Sequence, residues 1–124
     1  MGQATAPSAK TILIVEDEAF IRHDMADFFA DAGFQVFEAS DADEAIQVLA
    51  AEPSIEVVFT DVHMPGSMDG LKLAHYVRNR FPPTMLVIAS GATKLTRNEM
   101  PSNSIFVAKP YDPHALLAAI LGPV

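Results

Sequence analysis

Five polar residues stand directly behind apolar runs, and their types suit one kind of chemistry. Glu16 and Asp17 follow Thr11–Val15, Asp61 follows Glu56–Thr60, Ser90 follows Met85–Ala89, and Lys109 follows the run from Ile105 to Ala108. If the three carboxylates meet, they repel one another. A pair about 4 Å apart costs roughly 4 kcal/mol at an effective dielectric near 20. Such a cluster needs a cation, a shared proton or a lysine. Hard oxygen ligands favour Mg2+, which binds through a few carboxylates and keeps several waters. That ion is suited to spreading the charge of an incoming phosphoryl group. A carboxylate is itself a competent nucleophile toward phosphorus and gives an acyl phosphate. Lys109 would bring a point charge to a phosphoryl oxygen, and Ser90 a hydroxyl donor.

This chemistry requires elements that carry the five residues to one place. Short β-branched or aromatic runs occupy Thr11–Val15, Gln35–Ala39, Glu56–Thr60, Met85–Ala89 and Ser104–Val107. Helical spacing lies between them. Ile21, Met25, Phe28, Phe29 and Ala32 form one stripe that Gly33 stops. Ala42, Ala45, Ile46 and Leu49 form a second, opened by Asp41 and Glu44 in a capping-box pattern. Leu71, Ala74, Val77 and Phe81 form a third, ended by Pro82 and Pro83. Asp112 and Pro113 open a last helix through Leu116, Leu117, Ile120 and Leu121. Ala92 to Asn103 carries only Leu95 and Met100 as large apolar residues, so a helix there is short or irregular. The pattern is β-α repeated five times, hence a parallel sheet covered on both faces. In such sheets, sites form beyond the carboxyl ends of the strands, where strand order reverses. Four of the five runs deliver a polar group to that edge; the second, ending at Ala39 and Ser40, delivers less.

Taken in order, Ile12 to Glu18, Asp61-Val62-His63-Met64-Pro65 running to Asp69-Gly70, Ser90-Gly91 and Lys109-Pro110 resemble the receiver family of two-component response regulators. The resemblance covers Thr11 to the C-terminus. It implies a flavodoxin-like (βα)5 doubly wound sheet in the order 2-1-3-4-5. It also implies that Asp61 takes a phosphoryl group from the phosphohistidine of a histidine kinase or a histidine phosphotransfer protein. Asp17 and Asp61 would ligate Mg2+, Glu16 would help through water, and the His63 main-chain carbonyl would complete the protein's share. Ser90 and Lys109 would grip the phosphoryl oxygens. Phe106 stands at the family's switch-aromatic position. Pro110 would follow a cis peptide that aims Lys109 into the site. The His63 side chain would tune access of water, and the small Ala92 would leave the site open. Three departures stand out. The interval from Asp61 to Gly70 is one residue longer than usual, the interval from Ser90 to Lys109 is shorter, and Phe106 lacks the hydroxyl of the common Tyr.

The chain has 124 residues, 50% of them hydrophobic, which suits one domain. Residues 1–10 read as a flexible tail and 11–124 as the receiver domain. A net charge of −8 argues against nucleic acid and anionic membrane surfaces as partners. With no Cys, disulfide and thiolate chemistry are excluded. No signal peptide or membrane span is evident, so the expected location is cytoplasmic. The chain ends just after its last helix, so no output domain is expected, although it could be a piece of a longer regulator. Output would then run through a downstream protein partner or a phosphorelay, from a monomer or weak homodimer. A Mg2+-dependent phosphatase with an Asp nucleophile is the rival class. Against it, Asp61-Val62-His63 lacks a second Asp and no cap domain fits. Absence of a Gly-rich loop after the first strand weighs against a nucleotide-binding protein.

Overall fold

The computed structural model describes residues 10–91 and 95–122. The expected tail, apart from Lys10, and Ala92 lie outside the described residues. Five strands alternate with helices: β1 (Thr11–Val15), α1 (Ala19–Asp31), β2 (Gln35–Ala39), α2 (Ala42–Ala51), β3 (Val57–Asp61), α3 (Gly70–Arg80), β4 (Met85–Ser90), β5 (Ser104–Ala108) and α4 (Pro113–Leu121). All strand pairs are parallel, in the order β2-β1-β3-β4-β5. The chain reverses its direction of travel across the sheet between β1 and β3, the place where a crevice opens beyond the strand ends.

Because β1 and β3 are central and covered on both faces, every one of their residues is buried. Their side chains alternate between two cores. Leu13, Val15 and Val58 face α2 and α3 with Leu49, Leu73 and Val77. Ile12, Ile14, Val57 and Phe59 face α1 and α4 with Phe29, Leu116 and Ile120. The two edge strands, β2 and β5, are mostly half-buried. The last helix buries Leu116 and Ile120 but leaves Leu121 55% exposed, so its apolar stripe is narrower than its sequence suggests.

Helix starts follow their capping residues. The Asp41 side chain accepts from Glu44 N at 2.9 Å, while Glu44 Oε1 accepts from Ser40 N and Ser40 Oγ, one residue outside the expected box. Asp69 caps α3 through Lys72 N, and Asp112 caps α4 through His114 N with Pro113 at the first helical position.

Among the described residues the β4–β5 connection forms one 3₁₀ turn, Arg97–Glu99, and no α-helix. Leu95 and Met100 pack onto the α2–α3 core. The rest of the segment is held from α3. Arg78 donates to the carbonyls of Pro82, Thr84, Ser102 and Asn103, and the His75 ring lies 2.8 Å from the Glu99 carbonyl oxygen.

Candidate functional site

The acidic residues meet at the carboxyl edge of the sheet because β1 and β3 are neighbours with Val15 opposite Thr60. Glu16 and Asp17 then continue from β1 beside Asp61, the last residue of β3. One carboxylate oxygen from each of the three lies within 4.8 Å of the others. Glu16 and Asp61 are buried, at 1% and 5% exposure, whereas Asp17 is exposed. Ser90, also buried, ends β4 one residue beyond the Ala89 that pairs with Asp61. Its carbonyl accepts from Lys109 N at 3.0 Å. Lys109 leaves β5 through a cis bond to Pro110. Its Nζ sits 2.9 Å from Asp61 Oδ2 and 3.8 Å from Glu16 Oε1.

Backbone contacts fix the strand end that carries Asp61. The Thr60 hydroxyl donates to the Asp61 carbonyl at 3.0 Å, and Gly70 N donates to the Val62 carbonyl at 2.9 Å. The start of α3 therefore lies against β3 so closely that a Cβ on Gly70 would overlap the Asp61 carbonyl oxygen. Glycine is needed there for space rather than for an unusual φ. The His63 N–H points at Asp61 Oδ1, 3.4 Å away.

Three carboxylates face one lysine, Lys109, among the described residues. Glu16 Oε2 accepts from Glu18 N at 3.0 Å, but Glu16 Oε1 is buried without a hydrogen-bond partner. Burial, a hydrogen bond with Asp17 and the charge of Asp61 push the Glu16 carboxyl up to about 6, against the opposing pull of Glu18 N–H and Lys109. An orphaned buried carboxylate oxygen among three acids is a donor set that fits a hard divalent cation. The field of these acids reaches below the site. Burial first, then Glu16 and Asp61, push the Tyr111 phenol up to about 12.

Sequence reasoning missed two residues that shape this pocket. Arg22 donates to the Glu16 carbonyl at 2.9 Å and pairs with Glu38 at 3.2 Å, fixing the turn after β1. The Tyr111 hydroxyl donates to Met25 Sδ, with its ring edge-on to Phe59, forming part of the floor. Neither belongs to a local motif; only a Tyr two past Lys109 and an Arg in the first turn of α1 hinted at them. Phe106, by contrast, sits apart from the acidic residues. It is half-buried on an edge strand, lining a cavity of about 530 Å³ with Leu95, Met100 and Pro101. His23 and His75 are occupied on helix faces, by Glu38 and by the Glu99 carbonyl, while His114 stacks edge-on against Phe28.

Comparison with known proteins places this geometry. The family model described as response regulator receiver domain matches residues 12–121. The response regulator protein FleR of Pseudomonas aeruginosa is 34% identical over 112 residues, covering 88% of this chain and 23% of FleR. The aerobic respiration control protein ArcA of Escherichia coli is 32% identical over 85% of this chain and 44% of ArcA. The chain thus spans less than half the length of either relative. A response regulator receiver protein from Sinorhizobium medicae has a solved structure similar at TM-score 0.84, with 31% identity, over 92% of this chain and 93% of that one. No helix among the described residues is long and apolar enough to cross a membrane. By family model, relatives and fold together, the chain belongs to the response regulator receiver domain family.

Proposed function

We propose that this receiver domain, residues 11–124, is a phosphorylation-dependent switch in which Asp61 is the phosphoacceptor. One observation carries the reading: the Asp61 carboxylate ends a central strand within reach of two further acids and 2.9 Å from the Lys109 ammonium. The donor is the phosphohistidine of a histidine kinase or a histidine phosphotransfer protein. An Asp61 carboxylate oxygen attacks phosphorus, the O–P bond forms, the N–P bond breaks, and the imidazole leaves and takes up a proton. Lys109 and the Ser90 hydroxyl neutralise and hydrogen-bond the phosphoryl oxygens. Glu16, Asp17, Asp61 and the His63 carbonyl are the residues that would hold Mg2+, which supplies charge neutralisation at the phosphoryl group. The His63 side chain, exposed two residues beyond Asp61, borders the path by which water reaches the adduct.

The protein acts as a signalling component in the cytoplasm and turns over no external substrate. Phosphorylation shifts an equilibrium between two conformations. A protein partner reads that shift at the Phe106 side, or the phosphoryl group passes on to another histidine. Phe106, without a hydroxyl, switches by packing alone. Incubation with phosphoramidate and Mg2+, followed by intact-mass measurement, tests the reading. The wild type gains one phosphoryl group and Asp61→Asn gains none. An adduct that persists in Asp61→Asn places the nucleophile elsewhere.

A further inference from the structure

The stretch from Asp61 to Gly70 carries the candidate site from β3 to α3, and its tip makes a contact outside the site. Val62 and Gly70 close the base of this loop through the Gly70 N to Val62 carbonyl bond. Met64 is buried and Met68 packs on the α2–α3 core, so the loop is anchored on both sides of its tip. The tip itself, Pro65 to Ser67, is exposed, and Gly66 turns it with a left-handed φ of 114°. At that tip the Ser67 hydroxyl donates to Asp43 Oδ1 at 2.7 Å, a bond that joins residues 24 apart in the chain. Asp43 belongs to the first turn of α2, whose start is already fixed by the Asp41–Glu44–Ser40 hydrogen bonds. The loop tip is therefore moored to a rigid helix end.

We propose that Ser67, through Asp43, is a positioning residue for the metal-binding side of the site. The loop it moors carries His63, whose N–H already points at Asp61 and whose carbonyl is assigned above to Mg2+. A moored loop presents that carbonyl in one place before the ion arrives. A loose loop must be ordered during binding, which lowers affinity by the fraction of time it is misplaced. The bond is charge-assisted but exposed, so its loss amounts to about fivefold in affinity. The inference rests on the metal reading of the preceding subsection.

The test is a set of Mg2+ titrations on wild type, Ser67→Ala, Ser67→Thr, Asp43→Ala and Ser67→Ala/Asp43→Ala, with hydrogen exchange of the amides between 63 and 68 followed in metal-free protein. Ser67→Ala should bind Mg2+ about fivefold more weakly than wild type and Ser67→Thr about as well. Asp43→Ala removes a charge as well as the acceptor of the bond, so its effect in the Ser67→Ala background should be smaller than in wild type. Metal-free Ser67→Ala should exchange faster at 63–68, with unchanged global unfolding. Wild-type affinity in Ser67→Ala, or additive effects of the two substitutions, overturns the proposal. A wild type that fails to bind Mg2+ removes the metal reading too, and the exchange data then report separately whether the mooring exists.

Discussion

Gly70→Ala is the substitution whose consequence follows most directly from the coordinates. A methyl group there would stand 2.6 Å from the Asp61 carbonyl carbon and 2.8 Å from Thr60 Oγ1, and would overlap the carbonyl oxygen. Ordinary contact begins near 3.4 Å, so the overlap with the carbonyl oxygen forces the start of α3 and the end of β3 to part by well over an ångström. Neither can move alone, because Gly70 N is bonded to the Val62 carbonyl and Asp61 pairs with Ala89 in the sheet. Overpacking of this kind costs about 1–3 kcal/mol. Better helix propensity returns less than about 1 kcal/mol. Thermal unfolding should therefore fall by roughly 4–10 °C for a domain of this size. The larger effect should be on phosphorylation, since the displaced atoms belong to the backbone of Asp61, the proposed phosphoacceptor. A misplacement near 1 Å can cost on the order of a hundredfold in rate. Adduct formation from phosphoramidate, timed by intact mass, measures this, and calorimetry measures the stability. Wild-type values of both would refute the idea that Gly70 keeps α3 clear of Asp61.

Lys109→Ala should leave Mg2+ binding largely intact while abolishing the phosphorylation-induced change, read as hydrogen exchange over residues 97–106; a retained response would remove Lys109 from the mechanism. In metal-free protein, Glu16 titrates near 6 rather than its ordinary 4.5, so the folded state holds that proton more tightly than the unfolded chain. Its contribution is then present below pH 4.5 and lost as pH rises through about 6, an effect of about 2 kcal/mol. Urea unfolding in chelator from pH 4.5 to 7.5 should show a flatter profile for Glu16→Gln than for wild type, and identical slopes would contradict the assignment. Arg78→Met removes the donors to four carbonyls in the α3–β4 turn and the β4–β5 connection. It should cost about 2 kcal/mol in urea and speed exchange at 97–104; protection equal to wild type would show that the connection holds itself.

What the sequence disclosed, and what it hid, divides along physical lines. The two-sided parallel sheet and the edge that gathers Glu16, Asp17, Asp61 and Lys109 follow from local signals, namely short apolar runs and the polar residue after each, whereas the strand order was legible only through the family resemblance. Strand ends were legible to one residue: β3 and β4 take in Asp61 and Ser90 themselves, because both still pair with the neighbouring strand. The connection before β5 was legible as weak, but not its remedy. Arg78 and His75 look like ordinary surface residues of α3 until the backbone carbonyls they meet are placed. Tyr111 was hidden for a similar reason, since its partner Met25 lies 86 positions away. Ser67 and Asp43 were likewise separate polar residues on separate segments. Contacts of this kind depend on tertiary approach, which periodicity and spacing do not encode.

The same arrangement explains why a domain keeps a destabilising cluster at the end of its most buried strands. Glu16 Oε1 is buried without a hydrogen-bond partner, and the Lys109 ammonium sits closer to Asp61 than to Glu16. Filling the pocket with apolar groups would stabilise the fold, as replacing buried charges often does. The repulsion left in place gives the site an appetite for positive charge that a proton on Glu16 or a divalent cation can satisfy. A proton on Glu16 would oppose the cation proposed for this site, whose hold should then weaken as pH falls below about 6. The phosphoryl group proposed for Asp61 would add negative charge to the same few ångströms and compete with Glu16 for Lys109. The side chain would then shift toward the phosphoryl oxygens, away from Glu16, and because Lys109 directly follows β5, that strand is the element closest to the redistribution.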